Sequence, residues 1–297
     1  MSERTETYSL PRQMGVFLDL IRFEHTLFAL PFAYSGMILA ADGSPTWIQF
    51  FWITVAMAAA RTSAMAFNRW ADRHLDARNP RTANRPIQRG RIQAGLVLLL
   101  ALVSLAVLGL AAYQLNPLCF MLWPGAFILV AGYSYTKRFT WMCHYVLGLT
   151  DALAPMGAWV AVTGTILQPS DLPGWLLSAG VMVWIAGFDM LYALQDIEVD
   201  RREGLYSIPA RFGVGKALGI ARLSHAAAVV FFAAAAWTAG LTWPFWPALA
   251  AVCLLFVWEH RLVRPDDLTR IDVAFFNVNS YISLTLFAAI LAGVYWP

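Results

Sequence analysis

Two polar stretches carry the residues able to do chemistry. In residues 67–91, FNRWADRHLDARNPRTANRPIQRGR, Asn68, Asp72 and Asp76 recur at a spacing of four. In a helix that spacing stacks three side chains on one face. Arg81, Arg85, Arg89 and Arg91 follow, past Pro80, which ends or loosens a helix. An amide oxygen and two carboxylates on one face suit a hard cation such as Mg2+, and neighbouring arginines suit phosphate. Taken alone, the same stretch reads equally well as a solvated loop whose charges only set topology.

The second stretch, LYALQDIEVDRREG, repeats the spacing with Asp196 and Asp200, again after an apolar run and before arginines. Glu198 lies between them and points off their face. Asp189 lies seven residues before Asp196, two helical turns back on nearly the same face. The two acidic faces stand 124 residues apart (196 minus 72), as halves of an internal pseudo-repeat would. Loop solvation accounts poorly for such a pair.

These residues carry a resemblance. Asn68-Arg-x-x-Asp72-x-x-x-Asp76 with Arg81-Thr82 and Asn84-Arg85-Pro86 resembles the first signature of the UbiA superfamily of intramembrane prenyltransferases. Asp196-x-x-x-Asp200 resembles the second, and Tyr133-Ser-Tyr135-Thr-Lys137-Arg138 a third, basic element. Many members have Asn-Asp where this chain has Asn68-Arg69, a variation common within the family. The three elements occur in the expected order and span most of the chain.

Composition points the same way. Of 297 residues, 59% are hydrophobic and 13% charged, against about 25% charged in an ordinary soluble domain. The expected fold is all-α: a polytopic membrane protein formed as one domain over residues 1–297, with a polar N-terminal segment at 1–15. Cys119, Cys143 and Cys253 lie in or beside apolar runs without metal-like spacing and read as buried free thiols; the five histidines form no zinc motif. MSERTETYSLPRQ is followed by no signal-peptide h-region, because the first apolar segment contains Arg22, Glu24, His25 and Pro31.

Runs long enough to cross about 30 Å of hydrocarbon read as 16–41, 46–68, 94–114, 117–136, 143–165, 173–194, 215–239, 242–260 and 273–296, nine helices in all. Apart from Arg61, all 21 Lys and Arg lie in the N-terminal region, in the loops after the second, fourth, sixth and eighth segments, or in helix ends beside them. The positive-inside rule then places the N-terminus in the cytoplasm and the C-terminus outside, in a bacterial-type cytoplasmic membrane, with both acidic faces on the cytoplasmic side. Trp47, Trp175, Trp243, Trp246 and Trp296 gather at the opposite ends, as an interfacial aromatic belt does. Asp151, Asn277 and Asn279 read as hydrogen-bonding links between helices, and Arg22 and Glu24 as a local pair or part of the site.

The resemblance implies a chemistry. Mg2+ on Asn68, Asp72, Asp76, Asp196 and Asp200 would bridge the oxygens of a polyprenyl diphosphate, with Arg81, Arg85, Lys137 and Tyr133 binding the same group. Departure of diphosphate leaves an allylic cation that aromatic faces can stabilise. An electron-rich aromatic acceptor then attacks. Arg61, seven residues before Asn68, needs an anionic partner in an apolar interior. Asp189 would make that a silent structural pair; a substrate carboxylate would make it a binding site. The resemblance places Arg61 and Asp189 at the acceptor, with Asp189 a catalytic residue near the phenol or the ring proton, implying a carboxylated phenol: 4-hydroxybenzoate in ubiquinone biosynthesis, or a dihydroxynaphthoate of menaquinone biosynthesis. Three other classes explain less. A secondary transporter has intramembrane carboxylates and repeats, but no need of two Asp-x-x-x-Asp faces backed by arginines. Nucleic acid is not an expected partner, because topology accounts for the seven arginines from Arg69 to Arg91. A purely structural membrane protein has no use for Arg61 and Asp189 within its spans. Oligomeric state is not legible.

Overall fold

The structure is a computed structural model that describes residues 10–21, 26–265 and 267–296. Arg22 and Glu24 lie outside the described residues. The rest is helical: among the described residues the sole β pairing is an isolated bridge between Arg264 and Asp267.

Helices α1 (Leu10–Leu20) and α2 (Thr26–Ala40) precede α3 (Trp47–Ala71) and the short α4 (Arg73–Arg78). Then come α5 (Ala94–Leu115), α6 (Pro117–Thr136), α7 (Cys143–Thr163), α8 (Leu172–Ala193) and the short α9 (Ile197–Arg202) and α10 (Ile208–Phe212). The chain closes with α11 (Val214–Thr238), α12 (Phe245–Leu262) and α13 (Asn279–Tyr295), the last entered through a π-helical turn at Val273–Val278. Local chemistry sets several of these ends. Thr46 caps α3 in a capping box with Gln49, and Asn116 caps α6 ahead of Pro117 at the first helical position.

Eight helices among the described residues are long and apolar enough to span a membrane, so the nine-helix expectation changes at one place. The segment expected at 16–41 divides into α1 and α2, on either side of the Arg-Phe-Glu-His sequence at 22–25. At 15 residues α2 reaches about 22 Å, short of a full span. Helix α1 instead turns Val16, Phe17, Leu20 and Ile21 onto Phe67, Ile92 and Val97, beneath the end of α3.

Helix α8 runs through the centre, packed on α7 and α11, while α3 packs on α5 and α2 joins α7 and α13. Glycine permits the tightest crossings. A Cβ at Gly36 would overlap the Pro155 carbonyl oxygen, and one at Gly148 the Met182 carbonyl oxygen. At the core, Trp184 meets Phe32, Phe188, Phe232 and Phe256 edge-on, and its indole N–H donates to Asn279 Oδ1 at 2.7 Å. Asn279 in turn donates to buried Glu259 at 2.8 Å and to the Ala274 and Phe275 carbonyls of the π-turn. Asn279 is therefore the interhelical link expected of it, whereas Asn277 is exposed. The five tryptophans of the expected belt are all exposed, at the bundle end opposite the aspartates. At that end the Tyr295 hydroxyl donates to the Gly43 carbonyl, and Thr242 donates twice to the Gly293 carbonyl, at 2.9 and 3.0 Å.

Candidate active site

The two acidic stretches fold to one design. Helix α3 stops at Asp72, and the six-residue α4, RHLDAR, carries Asp76 at its fourth position. Helix α8 tightens into a 3-10 turn ending at Asp196, and the six-residue α9, IEVDRR, carries Asp200 at its fourth position. In both halves the chain breaks at the first aspartate, yet the four-residue spacing survives. The Asp76 N–H still donates to the Asp72 carbonyl at 2.8 Å. Asn68, one turn back, donates to Asp72 Oδ2 at 3.0 Å.

Each of the four carboxylates faces its own cation. Asp76 pairs with Arg85 at 2.6 Å, Asp196 with Arg81 at 2.6 Å, Asp200 with Lys137 at 2.7 Å and Asp72 with Arg138 at 2.9 Å. The last two pairs matter for architecture: neighbouring Lys137 and Arg138 at the end of α6 take one aspartate from each half. Arg138 also donates to the Ala71 carbonyl at 2.8 Å. Arg81 crosses between the halves, as does Asn79, which donates to Asp196 Oδ1 at 2.9 Å. The Arg81 Nη1–H donates to the Tyr192 hydroxyl at 2.9 Å, and Tyr192 stacks on Phe275 with ring centres 4.1 Å apart.

Burial and charge oppose one another here. Burial raises the Asp72 pKa above its ordinary value, and Arg138 only partly offsets that. Burial alone would lower Arg81 and Lys137, but the Asp196 and Asp200 carboxylates outweigh it and hold both cations above their usual values.

The remaining expected residues are less uniform. Tyr133 donates its hydroxyl to the Ala64 carbonyl at 3.2 Å, a helix-to-helix bond that occupies the proton expected for diphosphate. Arg61 forms no ion pair among the described residues, and its Nε is buried without a hydrogen-bond partner. Asp189, the protein carboxylate considered for it, instead meets His144 Nδ1 at 2.7 Å. Asp151 lies within the electric field of Arg61 but makes no hydrogen bond among the described residues. Sequence reading missed His144, Asn79, Tyr192 and Ser207, the last donating to Asp200 Oδ2 at 2.8 Å. The contacts of His144, Asn79 and Tyr192 span 45, 117 and 111 residues, so spacing carries no trace of them. Ser207 lies only seven residues past Asp200 but outside the four-residue repeat, and Arg138 was visible only as part of a basic motif.

Asn68 and the four aspartates offer oxygen donors only, the set that suits a hard divalent cation. Among the described residues no three acidic, His or Cys side chains converge closely enough to hold a metal alone. Both observations fit a cation held by few protein contacts together with substrate phosphates.

Comparison with known proteins agrees with this architecture. The model of the UbiA prenyltransferase family matches residues 29–281. A 4-hydroxybenzoate octaprenyltransferase of Tolumonas auensis is 29% identical over 285 residues, covering 95% of this chain and 98% of its own. The apo structure of a UbiA homolog from Aeropyrum pernix superposes with a TM-score of 0.83 at 32% identity, over 91% of this chain and 98% of that one. A UbiA homolog from Archaeoglobus fulgidus bound to GPP and Mg2+ shares the fold, with a TM-score of 0.70 at 20% identity, over 93% of this chain and 99% of that one.

Proposed function

Because the chain belongs to the UbiA prenyltransferase family, we propose that it transfers a polyprenyl group from an allylic diphosphate to a carboxylated aromatic acceptor, 4-hydroxybenzoate, in respiratory quinone biosynthesis. Prenyl transfer as the reaction class and an integral membrane location follow from the family and from the eight apolar helices. The acceptor is the proposal, and one observation carries it. Arg61 lies within a span with a buried, unpartnered Nε; Asp189 is engaged by His144, and Asp151, which feels the Arg61 charge, makes no hydrogen bond to it among the described residues. A guanidinium in that setting needs an anion. A benzoate carboxylate supplies one, and the relatives named 4-hydroxybenzoate octaprenyltransferase act on such a compound.

The residues divide the work. Arg81, Arg85 and Lys137 would bind the diphosphate through charge-assisted hydrogen bonds, exchanging their present carboxylate partners for phosphate oxygens. Asn68, Asp72, Asp76, Asp196 and Asp200 would hold Mg2+, which neutralises charge building on the leaving diphosphate. Tyr133 would act by tying α6 to α3 rather than by donating to the substrate. Tyr192 and Phe275 present aromatic faces beside Arg81, where an allylic cation gains stabilisation. The basic residues gathered at this end support a cytoplasmic-facing site in a bacterial-type inner membrane. All of this would lie within a single domain covering residues 1–297.

The purified protein, given one prenyl diphosphate and a panel of acceptors with products read by mass spectrometry, tests the assignment. Prenylated 4-hydroxybenzoate is expected, with a raised acceptor KM in Arg61→Ala. Transfer to a dihydroxynaphthoate instead would place the chain in menaquinone biosynthesis. Transfer only to acceptors without a carboxylate, or an unchanged acceptor KM in Arg61→Ala, would overturn the reading.

A further inference from the structure

We infer that His144 is a positioning residue that holds Asp189 so that its free carboxylate oxygen takes the ring proton lost by the aromatic acceptor. The inference rests on the acceptor reading above and adds the proton's destination and the residue that prepares it.

Three hydrogen bonds define the arrangement. His144 Nδ1 lies 2.7 Å from Asp189 Oδ2. The Ile208 backbone N–H points at His144 Nε2 across 3.3 Å. A backbone N–H can only donate, so Nε2 carries the lone pair and Nδ1 carries the proton. That tautomer directs its Nδ1–H at Asp189 Oδ2. A doubly protonated imidazole would set its Nε2–H against the Ile208 N–H. Asp189 is thus held with one oxygen satisfied, while Oδ1 has no hydrogen-bond partner among the described residues. The imidazole is 2% exposed and the Asp189 side chain 25% exposed, so the fixed partner is buried and the accepting group stays open. Asp189 also lies on α8 two turns before Asp196, on the side where the diphosphate would sit.

The reaction balances with this base. The allylic C–O bond breaks and its electron pair leaves with diphosphate. The ring carbon beside the phenol oxygen supplies the pair that forms the new C–C bond. The proton on that carbon passes to Asp189 Oδ1, the C–H electrons restore the aromatic ring, and Asp189 later returns the proton to water.

A second observation ties this base to the diphosphate end. The Tyr206 N–H donates to the Lys137 carbonyl at 2.7 Å, Ser207 donates to Asp200 Oδ2 at 2.8 Å, and Ile208 reaches His144. Consecutive residues therefore touch Lys137, Asp200 and His144 in turn. The groups at the aspartate end and the imidazole that orients the base are thus held by one short segment of chain.

Full-length protein in detergent or nanodiscs, given an acceptor deuterated at the position that is prenylated, tests the inference. His144→Leu should lower kcat by about 10- to 100-fold, the scale seen when an orienting partner is removed. The KM for prenyl diphosphate should hold, and the deuterium isotope effect on kcat should rise above that of the unaltered protein. His144→Asn, whose amide N–H stands near the place of Nδ1–H, should recover much of the rate and return the isotope effect toward its original value. Binding of an unreactive prenyl diphosphate analogue reports whether each variant is folded. If His144→Leu fails to fold, Asp189→Asn carries the test and should show the same raised isotope effect. A kcat within about twofold of the unaltered protein, or an equal loss in the Leu and Asn variants with an unchanged isotope effect, would make His144 a packing residue and overturn the inference. Should 4-hydroxybenzoate not be the acceptor, the proposed function fails by itself. The isotope comparison then runs on whichever aromatic acceptor the unaltered protein prenylates.

Discussion

Arg81 and Asp196 join the two acidic halves directly: Nη2 and Nε of the guanidinium lie 2.6 and 3.2 Å from Oδ2 and Oδ1 of the carboxylate. A two-pronged pair fixes orientation as well as distance, so the loop after α4 is set against the end of α8. The end of the bundle that carries the aspartates is consequently assembled from both halves, and neither carries a complete set of partners.

Replacing the fork with a point charge should expose that dependence. Arg81→Lys keeps the charge but cannot reach both Asp196 oxygens and the Tyr192 hydroxyl together. With the Arg81 side chain 31% exposed, the stability loss should stay near about 1 kcal/mol. The catalytic loss should be larger, read as a raised KM for prenyl diphosphate. Unchanged KM and kcat would show that the crossing arginine is structural only.

Metal dependence should track the four aspartates. Diphosphate release should stop when a chelator is added and return with Mg2+. Asp72→Ala, Asp76→Ala, Asp196→Ala and Asp200→Ala should each abolish turnover while the protein stays folded in detergent. Wild-type rates in an Asp72→Ala, Asp196→Ala double variant would falsify the metal assignment.

Topology follows from the one-sided placement of the basic residues. Reporter fusions after Asp42, Asn116 and Asp171 should report the outside, and those after Arg91, Arg138, Arg202 and Asp267 the cytoplasm. An outside signal after Arg91 would invert the orientation and move the candidate site to the other face.

Two helix crossings should be intolerant of a single methyl group. Gly148→Ala and Gly36→Ala drive a Cβ into the Met182 and Pro155 carbonyls, a clash that only backbone movement relieves. Each should cost about 1 to 3 kcal/mol and lower the unfolding temperature in detergent. Gly157→Ala and Gly219→Ala are the controls, because nothing lies within 4 Å of a Cβ there. Equal unfolding temperatures in all four would contradict the packing.

The legible part of this molecule was its local periodicity. Asp72 with Asp76, and Asp196 with Asp200, stand out because a four-residue spacing is a helical repeat, and it persists although the helix breaks at the first aspartate of each pair. Spans of ordinary length are read from hydropathy for a similar reason. Segment 16–41 was misjudged because its apolar residues serve two elements, an α1 stripe packed on α3 and α5 and a short α2. His144 had no local signature, since its partners Asp189 and Ile208 lie 45 and 64 residues away. Tyr133 was identified by its motif, but the direction of its hydroxyl depends on how α6 packs on α3. Side-chain direction is a tertiary property, and neither composition nor spacing encodes it.

The bonds from Tyr295 to Gly43 and from Thr242 to Gly293 brace one end of the bundle. They fasten the last helix to the turn after α2 and to the connection between α11 and α12, at the end opposite the aspartates. Where α13 begins, Asn279 is tied in the same way to Trp184 and Glu259. The last helix is therefore held at both ends, and separating it from its neighbours must break bonds at both.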